Sequence, residues 1–281
     1  MERAAERAAR FRALHERDRL FIIPNPWDVG SARLLAALGF EALATTSAGF
    51  AFSLGLPEGS VPHERVLAHC RDLVEATDLP VSADLEKGFG DRPEEVAETI
   101  RLAAATGLAG ASIEDHTGRA DDPVFAFDLA VERVHAAALA ARALPRDFVL
   151  TARAENFLHG RPDLDDTIRR LQAFERAGAD VLYAPGLRDL DAIRTVCSAV
   201  TRPVNVIMGL PGASFTALAL QAAGVKRVSV GSALARLAFG SVSAAARTMQ
   251  EKGRFDALSG ATGFAEIERL QAAGAAGSDR R

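Results

Sequence analysis

Apolar and polar positions follow two alternating patterns along this chain. Short runs rich in Val, Ile, Leu and Ala recur about every 25 to 35 residues, with the length and composition of buried strands. They cover residues 21–24, 42–46, 81–85, 109–113, 148–152, 181–184, 204–208 and 227–230. Between them lie Ala-, Leu-, Arg- and Glu-rich segments with helical spacing, which predict amphipathic helices over 31–38, 63–76, 93–105, 128–143, 165–177, 189–200 and 213–223. Another, over 233–249, follows the eighth run. Gly39, Gly107, Gly178 and Gly224 each stand where such a helix stops and the chain turns into the next strand. Strict alternation of strand and helix calls for parallel strands with right-handed crossovers, and eight units close most simply into a (β/α)8 TIM barrel. A helix precedes the first run and a helical extension follows the last. A doubly wound open sheet would carry a Gly-rich turn after its first strand, where this chain has Pro24-Asn25-Pro26-Trp27-Asp28.

Composition narrows the reading without changing it. At 281 residues, 48% hydrophobic and 25% charged, the chain suits one barrel domain over 1–281, with the Gly- and charge-rich 272–281 expected to be a flexible tail. Thirty-three Lys and Arg against 37 Asp and Glu leave a net charge of -4, so neither nucleic acid nor an anionic membrane is an expected partner. Cys70 and Cys197 sit in predicted helices without metal or redox spacing, and residues 1–18 hold no long apolar run. A cytoplasmic protein is the resulting expectation.

In a barrel, reacting groups project from the C-terminal ends of the strands, so the polar residues that end each run are the informative ones. In order they are Asn25, Trp27 and Asp28; Thr46, Ser47, Ala48 and Gly49; Asp84, Glu86 and Lys87; Glu114, Asp115 and His116; Arg153, Glu155 and Asn156; then 183–186 and 205–209, the latter opening on Asn205. Asp84 and Glu86, two apart, point to one face of an extended strand, and Glu114 ends the next strand about 5 Å away. Three carboxylates that converge need a cation or protons to neutralise them, and for a cation, oxygen ligands without Cys or His favour Mg2+, with Mn2+ next. Arg153 is either a counter-ion to Glu114 or a clamp for a substrate anion, the clamp being the preferred reading. Ser47-Ala48-Gly49 reads as a turn whose backbone N–H groups form an anion nest.

These residues resemble the isocitrate lyase and phosphoenolpyruvate mutase superfamily over nearly the whole chain. The stretches that carry the likeness are 25–28 with Ser31-Ala32, Thr46-Ser47-Ala48-Gly49, 54–58, Ala83-Asp84-Leu85-Glu86-Lys87-Gly88, Ser112-Ile113-Glu114-Asp115, Thr151-Ala152-Arg153 and 177–180. The resemblance implies Asp84 as the most direct metal ligand, Glu86 and Glu114 in the metal's shell and Glu58 near its waters. It implies Trp27, Ser47, Ala48, Gly49 and Arg153 as the substrate pocket, to which Asp84 and Asn205 are added. It also implies a homotetramer in which the last barrel helix is exchanged between subunits. One departure matters: lyases that cleave isocitrate or methylisocitrate carry a Lys-Lys/Arg-Cys-Gly-His motif after strand 4, where this chain runs Asp115-His116-Thr117-Gly118-Arg119-Ala120-Asp121-Asp122-Pro123. The mutase gating-loop pattern is missing too, and Arg-Ala-Glu-Asn-Phe at 153–157 places the chain beside a loosely characterised subclass.

The expected activity is Mg2+-dependent C–C cleavage of a small 2-oxo or 2-hydroxy (di)carboxylic acid, by decarboxylation or retro-aldol cleavage through a metal-stabilised enolate. Arg153 and the Ser47 turn hold the charged end, and His116, Glu58 or a metal-bound water moves the proton. Three alternatives stay open: C–P chemistry on a phosphonopyruvate-like substrate, a barrel that binds 2-oxo acids such as pyruvate, oxaloacetate or 2-oxoglutarate without turnover, and a phosphosugar enzyme using Ser229-Val230-Gly231-Ser232 as a phosphate cradle.

Overall fold

The eight apolar runs form eight parallel strands: β1 (Phe21–Ile23), β2 (Leu43–Ala44), β3 (Val81–Asp84), β4 (Gly110–Glu114), β5 (Val149–Arg153), β6 (Val181–Tyr183), β7 (Val204–Ile207) and β8 (Arg227–Ser229). They pair in the order β1-β8-β7-β6-β5-β4-β3-β2. At the remaining seam, Ala44 N at the end of β2 donates to Pro24 O just past β1 over 3.0 Å, which brings the sheet round to a nearly closed (β/α)8 barrel. The computed structural model describes residues 2–212 and 214–277.

The helices are α1 (Glu2–Glu16), α2 (Val29–Ala37), α3 (Ser47–Ser53), α4 (His63–Ala76), α5 (Pro93–Ala105), α6 (Phe127–Arg142), α7 (Leu164–Ala177), α8 (Leu190–Ala199), α9 (Ala217–Ala222), α10 (Ala233–Lys252) and α11 (Phe264–Ala273). Local chemistry sets their ends. Asp28 caps α2 by accepting from Ser31 N at 2.6 Å, and Asp163 caps α7 by accepting from Asp166 N at 2.9 Å. The four stop glycines hold φ of 89° (Gly39), 92° (Gly107), 112° (Gly178) and 95° (Gly224), the left-handed region that side chains with a Cβ disfavour.

Three segments differ from expectation. Ser47-Ala48-Gly49 is not a turn but the first turn of α3, because Thr46 Oγ1 accepts from Gly49 N and caps a helix there. The ninth helix starts late, at Ala217, where Thr216 provides the cap; residue 213, its expected start, lies outside the described residues. The end of the chain is tied down through residue 277: Gln271 Nε2 donates to Gly30 O, Ala276 N to Ala76 O and Gly277 N to Asp78 Oδ2. Only 278–281 of the expected tail lie outside the described residues. Among the described residues, no helix is long and apolar enough to cross a membrane.

α1 closes the N-terminal end of the barrel. Ala8 and Phe11 are fully buried against Phe21, Val149 and Val181, residues that open their strands. His15 is buried there, with Nδ1 2.8 Å from Phe11 O and Nε2 3.3 Å from Arg227 Nη1. A carbonyl only accepts and a guanidinium only donates, so Nδ1 carries the proton and Nε2 is the acceptor. Burial, and then Arg227, pushes the His15 pKa down to about 3; burial pushes that of His69, stacked on Phe50 at 3.7 Å, down to about 4. Both imidazoles are neutral in the fold but take up a proton when unfolded below about pH 6.5, so stability falls as pH drops through that value. The expected loss is about 2 kcal/mol for each of the two by pH 5. Urea unfolding of the wild type and of His15→Gln and His69→Gln between pH 7.5 and 5 checks this, the slope becoming shallower in each variant.

Candidate active site

At the C-terminal end of the barrel a cavity of about 210 Å3 descends between the strands, with Ser47, Glu58 and Asp84 at its mouth and Tyr183, Asn205 and Arg227 deeper in its lining. Asp84 is the last residue of β3, and its backbone N–H donates to Thr45 Oγ1 at 2.8 Å, which ties the strand end to its neighbour. Beyond it the chain leaves the strand at once. Glu86 sits at φ 52°, and Gly88 N closes the turn on Leu85 O. Glu86 therefore does not share a strand face with Asp84, because the two-residue alternation behind that expectation holds only in extended chain.

Arg153, at the end of β5, organises the carboxylates. Its Nη1 lies 3.1 Å from Asp84 Oδ1, its Nη2 3.1 Å from Glu114 Oε2 and its Nε 2.7 Å from Glu155 Oε1, while the Tyr183 ring lies 5.1 Å from its Cζ. Each guanidinium nitrogen thus faces a carboxylate of the protein. Burial works against its charge, yet Glu155, Glu114 and Asp84 together hold the Arg153 pKa well above its ordinary value. Arg153 is a counter-ion in this arrangement, not the free clamp preferred from sequence.

One guanidinium does not balance the crowd around it. Burial, then Asp84, Glu114 and Glu58, pushes the Glu86 carboxyl up to about 7, and burial followed by Asp84 raises that of Glu58. Burial raises Glu114 in spite of Arg153. At the mouth, Ser47 Oγ lies 2.9 Å from Asp84 Oδ2 and 3.1 Å from Glu58 Oε1. Asp84 Oδ2 also accepts from Ser47 N at 3.4 Å, so the two carboxylates share the donors of one serine, and their mutual repulsion is what a proton or a cation there would relieve.

Among the described residues, no group of three His, Cys, Asp or Glu side chains stands ready to hold a metal by itself. This corrects the picture of Asp84, Glu86 and Glu114 closing on one ion: Glu114 faces Arg153 and His116, and Glu86 lies off the strand. The donor chemistry fits a hydrated Mg2+, which keeps most of its waters and binds through one or two carboxylates. Asp84 would hold it directly, with Glu58 and Glu86 reaching it through water.

Other expected residues are placed as follows. Ala48 and Ser47 lie on the cavity wall, whereas Gly49 and Trp27 stand behind it: a Cβ on Gly49 would lie 2.6 Å from Thr46 Cγ2 and 3.2 Å from Trp27 Cβ. Gly49 is there because α3 packs too closely for a side chain. Asn205 reaches the cavity, but its Oδ1 accepts from Arg227 Nε at 2.8 Å and its Nδ2 donates to Ser229 Oγ at 3.0 Å. His116 lies outside the cavity lining, stacked on His159 at 3.8 Å, with Nδ1 3.7 Å from Glu114 Oε1. The loop that bears it is pinned by the His116–Val124 bridge and by Lys87 Nζ donating to Thr117 O. Two donors of the phosphate cradle after β8 are already taken, since Val230 N and Gly231 N both donate to Asn25 Oδ1 at 2.9 Å.

Sequence reasoning named Glu155 at the end of its run but gave it no role, and missed His159 and Arg227. Glu155 is 1% exposed under Arg153 and 3.6 Å from His159 Nε2, and the charge of Arg153 and His159 keeps it ionised against its burial. Its place two residues beyond Arg153, at the C-terminal end of β5, was the available signal.

The family model described as phosphoenolpyruvate phosphomutase matches residues 11–250. The chain belongs to that family. Among its relatives is 2-methylisocitrate lyase of Escherichia coli K12, 31% identical over 202 residues that cover 69% of this chain and 67% of the lyase. A protein of Burkholderia cenocepacia J2315, provisionally described as a lyase/mutase, has a crystal structure that superposes with a TM-score of 0.94 at 59% identity and covers 96% of both chains. Oxaloacetate acetylhydrolase, solved with its product oxalate, superposes at 0.83 and 26% identity, covering 94% of this chain and 93% of its own. As a member of the isocitrate lyase/phosphoenolpyruvate mutase superfamily, this phosphomutase-family chain is an enzyme of a lyase and mutase group, on the barrel its strand pattern implied.

Proposed function

We propose that this protein is a Mg2+-dependent lyase that breaks a C–C bond in a small 2-oxo or 2-hydroxy dicarboxylic acid. The observation that carries the reading is the excess of carboxylates over Arg153 at the cavity mouth, with Asp84 and Glu58 on either side of the single Ser47 proton. Bound there, Mg2+ supplies Lewis acidity toward the acid's carboxylate and keto or hydroxyl oxygens. Asp84 and Ser47 set its place, and Arg153 keeps Asp84 oriented from the opposite side. With a 2-hydroxy acid, Glu58, which has a raised pKa and an opening to the cavity, would take the hydroxyl proton as the C2–C3 bond breaks and C2–O becomes a carbonyl, and return it to C3, whereas His116 acts from outside the lining on Glu114. The relatives' methylisocitrate chemistry is not transferred, because the two cysteines are a buried residue of α4 and a half-buried one of α8, neither of them in the cavity lining.

Incubation with a panel of 2-oxo and 2-hydroxy diacids, read by product chromatography, tests the proposal. Turnover of at least one acid with Mg2+ is expected, falling at least about a hundredfold in excess EDTA and returning with Mg2+ or Mn2+. Undiminished turnover in EDTA sinks the metal-dependent reading, and binding without product would assign a 2-oxo acid sensor.

We also propose a homotetramer built by exchange of α10. That helix buries only Ala235 against its own barrel and leaves Leu237 and Val242 each 67% exposed, with Phe239 beside them and Phe264 of α11 91% exposed. Apolar surface of this extent belongs in an interface. Light scattering is expected to give about four times the 29.7 kDa chain mass, and a smaller species for Leu237→Asp combined with Val242→Asp.

A further inference from the structure

Arg227 opens β8 in register with Phe21 of β1 and Asn205 of β7, lines the cavity, and reaches His15 of α1 at the N-terminal end of the barrel. Its side chain is 5% exposed. Its hydrogen-bond partners are all neutral: Nε donates to Asn205 Oδ1, Nη1 to His15 Nε2 and Nη2 to Thr151 Oγ1 at 3.0 Å. A guanidinium has five N–H groups, so two remain. Among the described residues, no carboxylate lies within 4.0 Å of it. Of the other buried arginines two have carboxylate partners and the third, Arg133, hydrogen-bonds only to neutral carbonyls, as Arg227 does only to neutral groups, but stands outside the cavity lining. Arg170 pairs with Asp115 and Asp166, Arg7 lies beside Asp78, and Arg133 is wrapped by the carbonyls of Lys87, Gly90 and Asp91.

A desolvated cation without an anion costs several kcal/mol and is retained where a ligand completes it. Local charge does not offset this one, since burial pulls the Arg227 pKa down to about 10 with only the neutral Tyr183 site opposing it. Meanwhile Arg153, the obvious anion clamp, already faces three carboxylates. The cavity is therefore negative at its mouth, around Asp84 and Glu58, and positive at its floor.

We propose that Arg227, oriented by Asn205, forms an anion subsite in the cavity floor that takes the second carboxylate of a dianionic acid whose first carboxylate engages the mouth. This rests on the acid-binding reading above and deepens it: the site selects diacids over monoacids of the same shape. Asn205 is a positioning residue in this scheme, since its amide oxygen holds Nε in place.

Calorimetric titration of the full-length protein with Mg2+ tests it, using malate against 2-hydroxybutyrate and 2-oxoglutarate against 2-oxopentanoate, pairs that exchange a carboxylate for a methyl group. In the wild type, Kd for the better diacid is expected to be at least about tenfold lower than for its monoacid. In Arg227→Met that ratio is expected to fall to about one, and Arg227→Lys, which keeps the charge but not the fork, is expected to fall between. Equal binding of diacid and monoacid by the wild type overturns the subsite and needs no variant; so does an undiminished ratio in folded Arg227→Met. If no acid of either kind binds, the acid-binding reading falls and the subsite with it.

Discussion

Asp84→Ala is expected to lower kcat/KM on the acid substrate at least about a thousandfold, equivalent to about 4 kcal/mol of barrier, without destabilising the protein. The two halves of this expectation have separate physical causes. Asp84 is the carboxylate that meets both the Ser47 hydroxyl and Arg153 at the mouth, so its removal takes away the proposed direct metal ligand. It is also the largest electrostatic burden on Glu86 and Glu58 after burial itself, and Arg153 keeps Glu114 and Glu155 when Asp84 is gone. Removing it relieves repulsion and leaves no buried cation unpaired. Thermal unfolding is therefore expected within a few degrees of the wild type, and the Mg2+-induced rise in Tm is expected to vanish. A variant that keeps that rise would remove Asp84 from the metal site.

Arg153→Met is expected to act in the opposite way, with a loss of about 3–5 kcal/mol in stability, or about 10 °C in Tm, whatever its effect on turnover. The methionine fills the space, but Glu114 and Glu155 stay buried with no guanidinium between them, and Glu155 retains only His159. Carboxylates left in this way have pKa values above those of the unfolded chain. The folded variant then binds protons more readily than the unfolded one, so its deficit narrows as pH falls from 8 toward 5.5. Arg153→Lys is expected to recover part of the loss, because one ammonium cannot face three carboxylates in the guanidinium's fork. Unfolding at the two pH values decides between counter-ion and free clamp: a clamp that only touched substrate would leave the Tm of Arg153→Met unchanged.

The strands, the crossovers and the candidate mouth were legible because the forces that set them act over a few residues. A strand of a parallel sheet is buried on both faces and reads as an apolar run, as 149–153 does. A helix stop needs one residue tolerant of positive φ, as at Gly178. Polar residues at the ends of such runs, Asp84 and Arg153 among them, had to meet at one end of the barrel because parallel strands all finish there. Local information also misled where it was incomplete. Glu86 was placed by strand alternation that ends two residues earlier, and Ser47-Ala48-Gly49 was read as a turn because the cap from Thr46 and the packing that excludes a side chain from Gly49 are spatial facts.

The order of apolar runs, the helix ends and the choice of residues at the strand tips were determined by the sequence by itself. Which of those residues face one another was decided only by closing the barrel. Arg153 meets Asp84 across 69 positions, Asn25 takes the amide of Gly231 across 206, and Arg227 finds His15 across 212. Such partners are set by strand register and by the docking of α1 under the sheet, where burial turns a charge into a cost that only a neighbour can offset. No short-range pattern encodes whether that neighbour is a carboxylate, as for Arg153, or a space left for a ligand, as beside Arg227.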